Sequence, residues 1–140
     1  KINEKFGQKL DYLRDMKDWF DAERPDRAIL VGDLNIAPRA DDVWNHKQLQ
    51  KIVSHTPVEV EHLTAAQEAG GWVDITRQDI PEGLLYSWWS YRAGARGNNV
   101  GWRIDYFLVS DVFNKSIKKS YTLKDQMGSD HAPIVLTLSI

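Results

Sequence analysis

The stretch AILVGDLN, residues 28–35, changes abruptly from apolar to polar side chains. Its first four residues form a short continuous apolar run followed by Gly32, a pattern that predicts a buried strand. Asp33 and Asn35 come directly after that strand. A carboxylate at the end of a buried strand is costly unless a cation, a metal or hydrogen-bond donors compensate its charge. The stretch therefore predicts a sheet with a candidate functional site at its edge.

Two helices are predicted on either side of this strand. Apolar residues recur at helical spacing from Phe6 to Phe20, and the helix is expected to end before Pro25. A second helix is expected to begin after Thr56, the N-cap, with Glu59 at the capping-box position, and to run to about Ala69.

The rest of the chain reads mainly as strands. Strand-like composition or alternation is found in residues 84–91, 102–110, 116–122 and 132–140. A helix, a strand, a second helix and then hairpin-like strands predict the α/β class, with a mixed sheet and flanking helices.

Composition narrows the functional classes. The chain has 140 residues, 42% hydrophobic and 27% charged, which is typical of a soluble globular protein. The absence of cysteine excludes disulfides, thiolate metal sites and a cysteine nucleophile, and it favours a cytoplasmic location. No apolar run approaches the roughly 20 residues of a membrane helix, so no membrane partner is expected. Because the chain begins at Lys1 rather than Met, we expect a processed product or part of a longer protein.

Charge is unevenly distributed along the chain. Residues 31–90 carry nine acidic and four basic side chains, a net charge of −5, whereas residues 91–140 carry four acidic and seven basic ones, a net charge of +3. The two segments could form opposite sides of a site for a metal and an anion. An ordinary solvated surface explains the same pattern equally well.

Two further positions resemble Asp33 in their setting. Asp105 lies within an apolar strand-like segment, and Asp130-His131 immediately precede the last one. For Asp105, a structural ion pair with Arg103 or another basic residue is an equal alternative, and Arg103 shares one face of the strand with it.

These residue types suit metal-assisted attack of water on a phosphodiester. Mg²⁺ prefers hard carboxylate oxygens and keeps several of its own waters. A carboxylate, or a histidine paired with one, can take the proton from the attacking water. Asn35 could hydrogen-bond the water or the phosphate without adding negative charge.

Three motifs occur in the order and spacing of the exonuclease III family: VGDLN at 31–35, GWRIDYFL at 101–108 and GSDHAP at 128–133. The chain thus resembles the Mg²⁺-dependent abasic-site endonucleases of base-excision repair, within the endonuclease/exonuclease/phosphatase superfamily. Further similarity in SWWSYR at 87–92 and NVGWR at 99–103 favours the DNA-repair branch over the lipid-phosphate branch.

The resemblance implies roles for the polar residues of these motifs. Asp33 resembles the aspartate proposed to activate the water, and Asn35 the residue that orients the water or the phosphate. His131 resembles the residue that contacts the scissile phosphate, and Asp105 the carboxylate that orients His131. The implied cofactor is Mg²⁺, with Mn²⁺ as the alternative, and its ligands on this chain are Asp33, Asn35 and a secondary aspartate, Asp130.

The resemblance also implies a pocket for duplex DNA that carries an abasic site or a 3′ end. Trp88 and Trp102 resemble the aromatic walls of the pocket that receives the flipped-out sugar, with Ile104 below them. Arg92 resembles the residue that reaches into the DNA groove.

The family's domain is about twice as long as this chain, and the matching motifs belong to its second half. The resemblance therefore implies that residues 1–140 are the C-terminal half of a four-layer α/β sandwich. The other half supplies the main metal-binding glutamate. We expect the isolated chain to be inactive, and to pair with the missing half or with itself through an exposed sheet face.

Three function classes follow. The favoured one is a DNA-repair phosphodiesterase that incises at abasic sites and trims 3′ ends. The alternatives are a superfamily member that hydrolyses a lipid or nucleotide phosphate, and a non-catalytic fragment.

Two structural expectations concern residues outside the motifs. Trp19, Trp44 and Trp72 are expected in the core. Asp41 and Asp42 are expected to cap the helix that follows them.

Overall fold

The computed structural model describes residues 3–140 and confirms the predicted α/β class. The elements run in the order α1 (Glu4–Ala22), β1 (Ile29–Asp33), a 3₁₀ turn (Ala40–Asp42), α2 (His46–Leu49), α3 (Pro57–Gly70), β2 (Trp72–Asp74), α4 (Ile75–Asp79), β3 (Trp88–Trp89), β4 (Gly101–Trp102), β5 (Asp105–Ser110), α5 (Asp111–Asn114), β6 (Ile117–Thr122) and β7 (Ile134–Leu138).

Within the described residues the strands pair antiparallel in three small sheets. The largest has the order β1-β5-β2, and the other two are the pairs β3-β4 and β6-β7. In the largest sheet, Ile29 at the start of β1 lies opposite Val109, and Asp33 at its end lies opposite Asp105. The pairing therefore brings the last residue of β1 and the first residue of β5 together at one end of the strand pair.

The two long helices begin and end close to the predicted residues. The Asn3 side chain accepts a hydrogen bond from the Phe6 backbone N–H at the start of α1. Thr56 caps α3 as predicted, and Gly71 ends that helix with a φ of 64°, a left-handed conformation that glycine adopts without strain. These local signals are short-range, which is why the sequence pattern predicts them well.

The main core lies between α1, α3 and the β1-β5-β2 sheet. Its buried side chains include Leu13 and Phe20 of α1, Leu63 of α3 and Leu108 of β5. The other face of the sheet is less covered, since Val31 of β1 is 59% exposed. Phe107, its partner across the β1-β5 pair, lies on the same face and is half-buried.

The strands are shorter than predicted. The segment 84–91 contains only β3, and the segment 102–110 is interrupted between β4 and β5. The interruption falls at Arg103 and Ile104, where the chain leaves the β3-β4 pair and enters the largest sheet.

Two of the three tryptophans expected in the core lie at the surface. Trp72 is buried as predicted, but Trp19 is 54% exposed and Trp44 is 41% exposed. Trp19 follows the helical spacing only approximately, and its ring leans against Phe20 at the rim of the core with a centroid separation of 5.2 Å.

A buried ionic network explains the interruption at Arg103. Arg103 donates two hydrogen bonds to the fully buried Asp42 and two more to Asp74, over distances of 2.6–3.1 Å. Arg77 also donates to Asp42 at 2.6 Å. Arg103 is therefore not the partner of Asp105, because it is turned away toward Asp42 and Asp74. The basic residue beside Asp105 is His131.

Asp42 likewise does not cap the following helix. It accepts a hydrogen bond from the Arg39 backbone within its own 3₁₀ turn, and Asn45 caps α2.

Among residues 3–140, none of the helices combines the length and apolarity that crossing a membrane requires.

Replacing Asp42 with alanine should destabilise the chain strongly. We expect the free energy of unfolding to fall by about 3–5 kcal/mol, because Arg77 and Arg103 would then be buried without their shared partner. Urea denaturation followed by tryptophan fluorescence measures the change. The matched control is Asp11→Ala, which removes an exposed ion pair with Arg14 and should cost less than about 1 kcal/mol. Equal losses for the two variants would contradict a stabilising role for the network.

Candidate active site

Three of the predicted site residues form one cluster. Asp33, Asp105 and His131 each offer one potential ligand atom, and these atoms lie within 4.8 Å of one another. The register of β1 against β5 places the two carboxylates opposite each other. Directly opposed like charges destabilise a sheet, so this arrangement requires a nearby positive charge.

His131 is brought to the cluster by contacts with the segment around β3. Trp88 and His131 form an antiparallel bridge, and the Ala132 backbone N–H donates to the Ser87 carbonyl at 2.7 Å. The buried Ser87 hydroxyl accepts hydrogen bonds from the backbone N–H groups of Ile104 and Asp105. Ser87 therefore connects the segment that carries His131 to the strand that carries Asp105.

The His131 ring points its two nitrogen atoms at the two carboxylates. Nδ1 lies 2.9 Å from Asp105 Oδ2 and donates to it, while Nε2 lies 4.0 Å from Asp33 Oδ2. Partial burial would lower the pKa of His131, but the hydrogen bond and charge of Asp105, with smaller effects of Asp33 and Asp130, outweigh it. The pKa of His131 is therefore raised above its usual 6.5.

Asp33 sits in a tight turn at the end of β1. Its Oδ1 accepts a hydrogen bond from the Asn35 backbone N–H at 2.7 Å. Burial raises the pKa of Asp33 and the hydrogen bond from Asn35 opposes that shift; Asp105 raises it further, whereas His131 and Lys9 lower it. The balance lies above the usual value of 3.8, as expected for a partly buried carboxyl group that also has another carboxylate beside it.

Asn35 adopts a left-handed backbone conformation with a φ of 53°. The Ser54 hydroxyl donates to its side-chain Oδ1 at 2.8 Å. Because Oδ1 is already hydrogen-bonded, the side chain is better placed to offer its N–H₂ group to the cleft than to bind a metal. The amide orientation follows from this hydrogen bond.

Asp130 lies beside the cluster rather than within it. Its Oδ2 accepts a hydrogen bond from the Trp88 indole N–H at 3.0 Å. The contact orients the Trp88 ring, and the Asp130 charge contributes to the raised pKa of His131.

A cleft of about 650 Å³ opens next to the cluster. Asp33, Asn35 and His131 line one part of it, and the three predicted pocket residues line another part: Trp88, Trp102 and Ile104. The exposed Arg92 also borders the cleft. All eight residues proposed as catalytic or substrate-binding are thus in or next to one cleft, with Asp105 directly behind His131.

The cleft also contains residues that the sequence patterns did not identify. Among them are Trp44, shortly before α2, and three residues of the segment between α2 and α3: Ile52, Val53 and Ser54. Trp44 was expected in the core, but its backbone N–H bonds to the Gly101 carbonyl beside Trp102, which leaves its ring at the cleft. The available signal was the position of these residues in the segment that directly follows the Asp33 motif.

The fold and the cluster together define an α/β protein of the exonuclease III and AP endonuclease type. Residues 6–131 match the model of the Endonuclease/Exonuclease/phosphatase family, and the chain belongs to that family. This match confirms the resemblance drawn from the three motifs, and the similar proteins described next agree with it.

Two curated relatives illustrate the match. The chain is 45% identical over 133 residues to an exodeoxyribonuclease of Bacillus subtilis, covering 94% of this chain and 50% of that protein. It is 40% identical over 121 residues to the DNA repair nuclease APEX1 of Danio rerio, covering 86% of this chain and 38% of that protein. The chain thus spans half or less of the length of these relatives.

Solved structures agree with the sequence relatives. An AP endonuclease from Archaeoglobus fulgidus superposes with a TM-score of 0.92 at 26% identity, covering 99% of this chain and 56% of that one. A 3′ phosphatase from Neisseria bound to a product DNA hairpin superposes with a TM-score of 0.90 at 26% identity, with the same coverage.

Asp105→Asn should lower the pKa of His131. The variant removes the charge that most strongly favours the protonated ring, so the ring should lose its proton at a lower pH than in the unchanged chain. Proton NMR titration of the His131 ring in metal-free buffer measures this, with Asp11→Asn as the matched control on the exposed face of α1.

The same shift predicts the pH dependence of stability. Since the folded pKa of His131 is raised, its ion pair stabilises the fold fully below the unfolded value near 6.5. That contribution is lost as the pH rises through the folded pKa. A His131 titration that is identical in the Asp105→Asn variant would contradict the assigned role of Asp105 in raising the pKa of His131, and with it this pH dependence of stability.

Proposed function

We propose that the protein containing this chain is a DNA-repair phosphodiesterase that incises duplex DNA at abasic sites and trims 3′ ends. The observation that carries the proposal is the Asp33–Asp105–His131 cluster, which opens onto a cleft walled by Trp88 and Trp102. The family membership and the DNA-processing relatives support the same substrate class.

The proposed cofactor is Mg²⁺, with Mn²⁺ able to replace it. The opposed carboxylates of Asp33 and Asp105 fit a hard divalent cation, since they leave a concentration of negative charge at one edge of the sheet. Asp33 is the primary ligand proposed on this chain, because Asp105 is hydrogen-bonded to His131. When bound, the ion supplies positive charge to the phosphate and lowers the pKa of its bound water.

Three side chains would take the proton from the attacking water and orient the water and the phosphate. Asp33 accepts a proton from the attacking water, and the Asn35 amide donates a hydrogen bond to the water or the phosphate. Protonated His131, held by Asp105, donates a hydrogen bond to the scissile phosphate as negative charge develops on it. As the water oxygen bonds to phosphorus, the bond from phosphorus to the leaving oxygen would break, and that oxygen would take up a proton from solvent water.

The apolar side of the cleft would select the lesion. Flipping a nucleotide out of the duplex costs a few kcal/mol, and least where no base is stacked. Trp88, Trp102 and Ile104 would enclose the exposed sugar, and Arg92 would enter the DNA groove. The hydrogen bond from Trp88 to Asp130 holds one wall in place.

The active protein would need more than residues 1–140. We propose that these residues are the C-terminal half of an endonuclease/exonuclease/phosphatase domain, since the chain covers 50–56% of three related proteins. Val31 and Phe107 on the less covered sheet face are where the missing half, or a second copy, would pack. Without a further metal ligand from that half, the isolated chain is expected to be inactive.

Reconstitution tests the proposal. The chain would be co-expressed with the segment of the Bacillus subtilis exodeoxyribonuclease that it does not match, and incision of an abasic duplex measured with and without Mg²⁺. We expect incision only with both segments and the metal. Asp33→Asn and His131→Asn should each reduce the rate by about three orders of magnitude or more.

The control for the histidine variant is His62→Asn on α3, because the His62 ring bonds to the Val58 carbonyl of its own helix. It should leave the rate unchanged. Full incision by the isolated chain would contradict the half-domain proposal. Unchanged activity of the Asp33 and His131 variants would favour a non-catalytic role.

A substrate comparison separates the two enzyme classes. The reconstituted protein is expected to cleave abasic duplex DNA and to leave inositol phosphates and free nucleotides intact, because two indole rings line the cleft beside the cluster. Phosphate release and gel-resolved incision at equal enzyme concentration measure the two activities. Faster turnover of the inositol phosphates would favour the lipid-phosphatase alternative.

A further inference from the structure

Lys9 reaches the active site from a helix that does not line the cleft. Its ammonium group lies 2.6 Å from the Asn35 backbone carbonyl and 3.5 Å from the Ser54 hydroxyl. Its third contact is an ion pair with Glu59 Oε2 at 2.5 Å. The Lys9 side chain is only 19% exposed, so this is not an ordinary solvated lysine of α1.

Glu59 anchors this arrangement from α3. Its carboxylate is fully buried and accepts hydrogen bonds from the Ser54 backbone N–H and from the Thr56 hydroxyl, each at 2.8 Å. Glu59 therefore does not complete the expected capping box, which would need the Thr56 backbone N–H as its donor. One of its carboxylate oxygens binds Ser54 and Thr56, and the other binds Lys9. A buried carboxylate with these partners holds the ammonium group in one place.

Two of the three residues that Lys9 contacts have left-handed backbone conformations. Ser54 has a φ of 85°, in the left-handed region that side chains other than glycine disfavour, and Asn35 has a φ of 53°, which asparagine tolerates better than most residues. The two are joined by the hydrogen bond from the Ser54 hydroxyl to Asn35 Oδ1. Such conformations persist where the surroundings enforce them, and Lys9 contacts both residues.

We infer that Lys9 is a positioning residue for Asn35, which it holds in the cleft by tying the Asn35 carbonyl and the Ser54 hydroxyl to the buried Glu59. The side-chain N–H₂ of Asn35 is then aimed at the site of the scissile phosphate. Lys9 itself lies outside the cleft lining and would touch neither the metal nor the substrate. The expected effect of Lys9 on kcat rests on the proposed function. The expected effect on the conformation of Asn35 can be tested without it.

The kinetic test is a double-mutant cycle in the reconstituted enzyme. Lys9→Met should lower kcat by about 10- to 100-fold, the usual cost of removing a residue that supports an active-site group, with little change in KM. In an Asn35→Ala background the same substitution should cost less than about twofold, because the group that Lys9 positions is already absent. The matched control is Lys17→Met on the same helix, which removes only the surface pair with Asp21.

A second variant distinguishes a positioning role of Lys9 from a general loss of folding. Lys9→Met leaves Glu59 buried without its partner, which destabilises the fold. Lys9→Arg keeps the charge and the donors, so it should restore kcat to within about threefold if positioning is the role. Equal losses in the presence and absence of the Asn35 side chain would overturn the inference.

The structural test uses NMR of the 140-residue chain and does not depend on activity. Lys9→Met should shift the Asn35 side-chain amide and the Ser54 backbone amide, whereas Lys17→Met should leave both unchanged. If the reconstituted protein proves inactive, the proposed function fails and this measurement alone decides the inference. Unshifted Asn35 resonances in the Lys9→Met spectrum would refute it.

Discussion

The register between β1 and β5 is the constraint on which the site depends. Asp33 and Asp105 lie directly opposite each other at the last pair of this register, where like charges oppose pairing. A slip of one residue in either strand would move the carboxylate of that strand to the other face of the sheet and separate it from its partner. The apolar residues of the same two strands prevent that slip, since Leu30 and Leu108 pair opposite each other and pack against the helical core. Burial in the core thus holds two carboxylates together that would otherwise separate.

The network around Asp42 fixes the second side of the cleft relative to this register. Arg103 lies between Trp102 and Ile104, and its four hydrogen bonds to Asp42 and Asp74 determine how the chain turns from β4 into β5. Trp102 and Ile104 thereby face the cleft while Asp105 enters the sheet. An apolar replacement of equal volume could match the stability of such a buried ion group, but it would lack the directional hydrogen bonds that specify this turn. The network therefore contributes to the geometry of the site as much as to its stability.

The parts of this structure that the sequence predicts are those that depend on neighbours in the chain. The caps at Thr56 and Gly71 and the apolar run of β1 are local, and the exonuclease III motifs identify the polar residues that gather at the cleft. The local alternative that pairs Arg103 with Asp105, two residues away, is wrong, and the sequence gives no sign of the actual partner, Asp42, which is 61 positions distant. Lys9 and Glu59, 50 positions apart, have no pattern that connects them before the helices pack. Trp44 was misplaced for a related reason, since an indole ring suits a core and a cleft wall equally well.

Electrostatics connects the metal proposal with the histidine. A phosphodiester that approached Asp33 and Asp105 alone would meet two negative charges. Their repulsion would weaken binding of the phosphate whose phosphorus atom the water must attack. The same carboxylates, with Asp130, raise the pKa of His131 and so favour a positive ring beside them. One protonated ring and the nearby Lys9 do not balance both carboxylates and the phosphate, and the proposed cation would supply the remaining positive charge. In the chemistry proposed for this cleft, the divalent ion would therefore serve substrate binding as well as activation of the water.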